Sequence, residues 1–276
     1  MKISQLVKEI KATSYWTRER THDVVVFGDD DKEIKAVGVC MYPTTSVIKK
    51  AIELGVNCLI PHEQLVYTRN NGEPHHTAKE KLRLLEENDI TVFRFHDLAH
   101  TTIPDIIFEG GVKWLGLSGK IDCDFIHGGA FPTNRFILDE PLTAKELAKV
   151  LEEKYNVSHV RIAGEPNKKG RKIACFFGAG GYVMKELEKV DFVLTGELCE
   201  FREAELARDY AEQGYNKAII VIGHAGSEFA GMKLFTEKLK EKYTEFPIHY
   251  IECGDSYTFT DTPLSCDCIS GPRFEK

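Results

Sequence analysis

The stretch KAVGVCMYPTTSVIKKAIELGVNCLI, residues 35–60, decides the fold class. Its first seven residues are an apolar run of strand character. Thr44 or Thr45 then supplies a hydroxyl suited to capping a helix, and Val47, Ile48, Ala51 and Ile52 follow at helical spacing. Gly55 stops the helix, and residues 56–60 form a second apolar run. Strand, helix and strand in this order are the building block of a parallel sheet.

The same rhythm extends in both directions. Residues 23–27 read as a strand turned by Gly28-Asp29-Asp30-Asp31, and residues 1–16 as an amphipathic helix with no signal-peptide core. Beyond residue 60, a helix is expected over about 76–87 and a strand over 90–95. The second half repeats the order: strands at 172–177, 191–195 and 217–222, with helices at 182–189, 200–213 and 228–243. The chain is therefore expected to be α/β, with two similar lobes built on mixed sheets flanked by helices. The expected organisation is an N-terminal lobe over 1–119 and a connecting α+β segment over 120–164 with one helix at 143–155. A C-terminal lobe follows over 165–258, and then a tail over 259–276.

Composition narrows the class. Of 276 residues, 42% are hydrophobic and 29% charged, as in ordinary globular proteins, and the net charge of -7 argues against nucleic acid or anionic membrane as a partner. No apolar run reaches the roughly 20 residues that a membrane-spanning helix needs. Of eight cysteines, Cys40, Cys58 and Cys175 sit inside apolar runs, which fits a reducing, cytoplasmic protein better than a disulfide framework. Cys266-Asp267-Cys268 is a weak metal motif.

In an α/β sheet functional groups cluster where strands end. Four such ends carry chemistry: His62-Glu63 after 58–60, His96-Asp97-Leu98-Ala99-His100 after 92–95, Glu197 and Glu200 after 193–196, and His224 with Glu228 after 218–223. His96/His100 and His224/Glu228 share i, i+4 spacing, which on a helix puts both side chains on one face. A histidine or glutamate at one strand end is most often a loop residue bonded to water; the recurrence at several ends favours ligation. Imidazole with carboxylate suits zinc, manganese or iron, and two such ions can activate water for hydrolysis. His22, His127, His159 and His249 have no partner pattern and read as structural, and His75-His76 as a helix-leading loop. Gly178-Ala179-Gly180-Gly181 lacks the dinucleotide and phosphate-loop patterns, and Cys199 has no neighbouring histidine to serve as a base.

The order IPHEQLVY (60–67), FRFHDLAH (93–100), KIACFFGAGG (172–181), DFVLTGELCE (191–200) and IIVIGHAGSEFAGMKLFTEKL (219–239) resembles the Nif-three-like family (NGG-one-interacting-factor-three). Many of its members carry the label GTP cyclohydrolase I type 2 homologue. The resemblance spans about 35–119 and 161–254. It implies two α/β lobes with a dinuclear metal centre in the cleft between them, holding two divalent transition ions per chain, and a ring-shaped homohexamer. The family's five ligands are three histidines and two carboxylates. Matched by motif they fall on His62, Glu63, His100, His224 and Glu228, with Glu63 in place of a histidine and His100 in place of an aspartate. Asp97 competes for the His100 role, and His96 is either a ligand or the residue that orients one. Glu197 stands where the family has an aspartate, and Glu200 and Phe201 where it has a histidine pair. The expected function is a metal-dependent hydrolase acting on a small molecule such as a nucleotide, with Glu197 or Glu200 as base and Glu63 or Glu228 as the shared carboxylate. The alternative is a metal-binding regulatory assembly protein without turnover.

Overall fold

The computed structural model describes residues 1–16, 19–124, 131–155, 157 and 159–258. His127 and the tail from 259, with Cys266 and Cys268, lie outside them. The chain divides into two compact units, one comprising residues 1–106 together with the segment from Met232 onward, the other residues 107–231.

The first unit is built on a five-stranded sheet. Its strands are β1 (Val25–Phe27), β2 (Val37–Cys40), β3 (Cys58–Pro61), β4 (Thr91–Phe93) and β11 (Ile248–Tyr250). Across the sheet the order is β1-β4-β3-β2-β11. All pairs are parallel except β1 with β4. β2, β3 and β4 are buried at every position, which is why they read as continuous apolar runs rather than alternating ones. Helix α2 (Thr45–Glu53) is capped by Thr44, whose hydroxyl accepts the Val47 amide at 3.2 Å. Val47, Ile48 and Ala51 of α2 join Leu84 and Leu85 of α3 (Ala78–Glu87) in one core with Leu59 and Val92. Each of the valine, leucine and isoleucine side chains contributes about 1.5–3 kcal/mol on burial. Helix α1 (Ile3–Lys11) buries Ile3, Leu6, Val7 and Ile10 along one stripe.

The second unit has a six-stranded sheet in the order β5-β6-β8-β9-β10-β7. Here β5 is Gly119–Asp124, β6 Thr133–Thr143, β7 Arg161–Gly164, β8 Lys169–Ala179, β9 Phe192–Glu197 and β10 Ala218–Val221. β8, β9 and β10 run parallel, with β7 antiparallel to β10. The repeat expected from the sequence is thus a repeat of topology. In each unit three consecutive parallel strands are followed at the edge by the strand that precedes them in the chain, antiparallel to the last. Cys58 pairs with Thr91 as Phe192 pairs with Ala218, so Glu63 and Glu197 each lie five residues beyond matching registers.

The observed bounds differ from those drawn at 119 and 164. The segment 120–164 is no connector: β5, β6, helix α5 (Ala144–Tyr155) and β7 all belong to the second unit. β11 returns to the first sheet beside β2, so the C-terminal part of the 165–258 stretch belongs with the first unit. Helix α4 (Ile106–Leu115) is not legible in advance because Gly110 and Gly111 interrupt its pattern. A Cβ at Gly110 would lie 2.5 Å from the Gly231 Cα and one at Gly111 2.3 Å from the Phe177 ring, so both glycines serve close packing.

Two helices differ in detail. The helix expected over 200–213 splits into a π-helical turn, Glu200–Ala204, and α7, Glu205–Glu212. Helix α8 (His224–Lys242) starts four residues before the expected position 228. Gly223, at φ +89°, turns the chain directly from β10 into the helix. Ser227 therefore lies inside the helix, where its hydroxyl donates to the His224 carbonyl at 2.7 Å and accepts the Gly178 amide at 2.8 Å. Among the described residues no helix is long and apolar enough to cross a membrane.

Candidate metal centre

Parallel pairing carries the first cluster to its place. Beyond the end of β3 the His62 amide donates to the Cys40 carbonyl at 3.0 Å and the Glu63 amide to Met41 at 2.9 Å. The Phe95 amide donates to Pro61 at 2.9 Å. These bonds keep the two chain ends in register past the last ladder residues. His62 is fully buried, and its Nδ1 lies 2.9 Å from the Phe95 carbonyl oxygen. A carbonyl only accepts, so Nδ1 carries the proton and Nε2 is the lone-pair atom.

His96 is fixed in the same way by a different partner. Its Nδ1 donates to Asp97 Oδ1 at 2.9 Å, again leaving Nε2 as the donor atom. Asp97 Oδ2 accepts the His22 amide at 2.9 Å, and the His22 Nδ1 lies 3.1 Å away. Burial alone would raise the Asp97 carboxyl, but the His96 hydrogen bond and the His22 amide and ring outweigh it and hold it well below the usual carboxylate range. Burial above all, joined by the neighbouring His62 and His100 and opposed by the Asp97 bond, lowers His96 to about 4, so it is a neutral imidazole at physiological pH. The turn itself is clamped by Asp23, also fully buried, whose carboxylate accepts the amides of His96 at 2.7 Å and Leu98 at 3.1 Å.

His100 sits in the 3-10 turn Ala99–Thr101, with Nδ1 3.7 Å from the buried carboxylate of Asp105. The rings of His62 and His96 stack at 4.7 Å between centroids, and His100 stands edge-on at 5.2 Å to the first and 5.6 Å to the second. One ligand nitrogen from each lies within 4.8 Å of the others. Glu63 joins at the edge: Oε1 is 3.7 Å from His96 Nε2, and Oε2 is 3.1 Å from the Arg94 guanidinium.

A second grouping, His22, His96 and Asp97, also meets the distance condition for an ion. There the Asp97 oxygens already accept the His22 amide and the His96 Nδ1–H, so the carboxylate acts as an anchor for imidazole.

The second unit carries its own histidine–carboxylate cluster. His224 opens α8, with Nδ1 2.5 Å from Glu197 Oε1 at the end of β9 and Nε2 3.2 Å from Glu228 Oε2 one helical turn on. Glu228 is buried, whereas Glu197 is half exposed. Gly178 makes room for this pair. At φ +70° its added Cβ would lie 2.5 Å from Glu228 Oε1 and 3.3 Å from His224 Nε2, which gives the glycine-rich turn a role unrelated to nucleotide phosphates. Gly178→Ala is expected to lower stability by about 1–3 kcal/mol from backbone strain. It should also weaken ion binding at this cluster; thermal unfolding with and without Co2+ checks both.

Glu200 heads the π-helical turn, exposed, and its side chain makes no hydrogen bond or ion pair among the described residues. The structure thus brings His62, Glu63, His96, Asp97 and His100 together in one unit, and Glu197, His224 and Glu228 in the other, but ties Glu200 to neither. Thr21-His22-Asp23, Arg94 and Asp105 are neighbours that sequence reasoning missed. Thr21, His22 and Asp23 reach the cluster across the fold, whereas Arg94 and Asp105 lie close in sequence to His96 and His100 without a ligand spacing that marks them.

A divalent metal fits these residues. In His62, His96 and His224 Nδ1 is hydrogen-bonded to an oxygen, an arrangement that orients ligating imidazoles in metalloproteins. The Gly178 cradle leaves space beside His224 and Glu228 that any Cβ would fill.

The model of the Duf34/NIF3 family (NGG1p interacting factor 3) matches residues 1–255. The chain belongs to this family. A Duf34/NIF3 relative from Clostridium perfringens, named GTP cyclohydrolase 1 type 2 homolog, is 26% identical over 254 residues, covering 88% of this chain and 92% of its own. Among solved structures, reduced HcgD from Methanocaldococcus jannaschii superposes with TM-score 0.72 at 22% identity, over 91% of this chain and 98% of that one. A Bacillus cereus protein related to NIF3 gives 0.73 at 16% identity, over 94% and 99%. At these identities the likeness to the solved structures establishes the Duf34/NIF3 fold alone.

Proposed function

We propose that this Duf34/NIF3 chain is a metal-dependent hydrolase that holds two divalent transition ions per chain, drawn from zinc, manganese and iron. The observation that carries the reading is the orientation of its imidazoles: His62 and His96 each have Nδ1 bonded to an oxygen acceptor, which leaves Nε2 as the lone-pair atom, and His224 is held between the Glu197 and Glu228 carboxylates. A bound divalent ion would supply Lewis acidity and a water nucleophile at neutral pH.

The chain's own residues do the rest. The Phe95 carbonyl, Asp97 and Glu197 fix the rings of His62, His96 and His224. Arg94 neutralises Glu63, so the carboxylate that stands where the family has a histidine adds no net charge to the cluster. Glu197 combines a 2.5 Å bond to His224 with half exposure of its side chain, so its Oε2 is placed to take a proton from water, and we assign it the role of base over Glu200.

The substrate class we propose is a nucleotide, with GTP the first to test because the Clostridium relative is named for that activity. A homohexameric assembly and a cytoplasmic location complete the proposal. Incubating metal-loaded protein with GTP should release formate, and His224→Ala should abolish it. Bound metal with no turnover, across a phosphoester, amide and nucleotide panel, would instead favour a metal-binding regulatory protein.

A further inference from the structure

The first unit holds a pocket of about 210 Å3, lined by α1, the segment 102–106 and the C-terminal half of α8. We infer that it binds a small amphipathic carboxylate, one anionic head on an apolar body of about eight carbons. The inference goes beyond the proposed function and rests on no part of it, because none of the candidate metal ligands lines this pocket.

The body follows from size and apolar lining. Ile10, Phe95, Ile106, Phe235 and Leu239 line the pocket and are all buried, with the Phe95 and Phe235 rings stacked at 4.5 Å between centroids. Ile103 lines it as well, yet is 67% exposed, so an apolar occupant would shield it from water. A cavity of about 150 Å3 with such walls accepts one benzene, and this volume therefore suits about eight carbons.

The head follows from the polar lining. Each hydroxyl there already has its hydrogen engaged: Thr13 donates to the Ile10 carbonyl at 2.7 Å, Thr102 to the Pro104 carbonyl at 2.8 Å, and Tyr243 to Glu9 at 2.6 Å. The Thr102 oxygen also accepts the Ile106 amide at 2.8 Å. A neutral head, such as a sugar or an alcohol, finds no hydrogen to accept from these hydroxyls. The ammoniums differ. Lys242 gives one of its three hydrogens to Glu9, at 2.5 Å, which leaves two. Lys238 lies one helical turn before it and lines the same pocket. Like charges four residues apart on a helix repel, and the lining sets one glutamate against two lysines. A carboxylate restores the balance, and its oxygens accept from Lys242.

The test is isothermal titration of the full chain with octanoate, octanol and octylamine, for the wild type and for Lys238→Gln/Lys242→Gln. Octanoate should bind with a dissociation constant below about 1 mM, roughly tenfold or more tighter than octanol, and octylamine should not bind. Both lysines are exposed, so the variant is expected to fold. It should lose about tenfold or more in octanoate affinity and leave octanol unchanged, a split that a general loss of structure would not give. Irradiating wild-type protein with a diazirine-bearing octanoate should label peptides carrying 102–106 or 235–243, a readout that needs no variant. Octanoate no tighter than octanol, unchanged binding in the lysine variant, or labelling confined to other peptides would each overturn the inference. Binding seen only after residues 259–276 are removed, or only in chains separated by dilution, would also overturn it, since the pocket would then belong to the tail or to a second copy.

Discussion

Asp97→Ala is expected to weaken ion binding at the first unit's cluster by about 10–100-fold, the usual cost of removing a carboxylate that orients a ligating histidine. Asp97 spends Oδ1 on the His96 ring and Oδ2 on the His22 amide. Without it, His96 is free to rotate or to carry its proton on Nε2, and either change removes a lone pair from the cluster. Asp97→Asn separates the roles. The amide oxygen can still accept from Nδ1, so an anchor should lose only part of the affinity, whereas a direct ligand would be lost as fully as in alanine. The measurement is a Co2+ titration of both variants, with melting of the metal-free proteins to show that the fold is intact.

The second large effect is on stability. Asp23 lies fully buried and its carboxylate accepts the main-chain amides of His96 and Leu98 and the Thr21 hydroxyl. Asp23→Ala strands those amides at about 1–3 kcal/mol each, so a loss of about 2–5 kcal/mol is expected. At about 2–4 °C per kcal/mol for a chain approaching this size, the melting temperature should fall by roughly 4–20 °C. Burial raises the Asp23 carboxyl above its ordinary value against the pull of the Thr21 and amide bonds. A neutral replacement that keeps an acceptor is therefore tolerated: Asp23→Asn should recover about half of the loss. A fall of less than 2 °C in the alanine variant, read by calorimetry, would show that the clamp contributes little.

Both variants act on features the sequence shows only in part. The strand–helix–strand unit at 35–60 is legible because β2 and β3 are buried on both faces and α2 carries a hydroxyl cap and an apolar stripe. The strand ends that carry His62, His96 and His224 follow from the same pattern. Ligand roles do not follow from it: adjacent His96 and Asp97 read equally well as two ligands or as a ligand and its anchor, and only the ring nitrogen that meets Asp97 separates them. The early start of α8 puts Ser227 inside the helix, where its hydroxyl accepts the Gly178 amide, a bond across 49 residues that no local spacing records. α4 and β11 escape for opposite reasons, one because its packing needs two glycines and the other because three residues carry too little pattern.

The resemblance to the family pattern implies an exchange of histidine and carboxylate between positions 63 and 100. Glu63 meets Arg94, and His100 meets buried Asp105, so each exchanged residue has a partner of complementary chemistry.

Elemental analysis of the purified full-length chain, after metal-replete preparation and removal of loosely bound ions, tests the central claim most directly. The account predicts close to two transition ions per chain in the wild type and close to one in His224→Ala/Glu228→Ala. A wild-type chain that folds and retains none would contradict it.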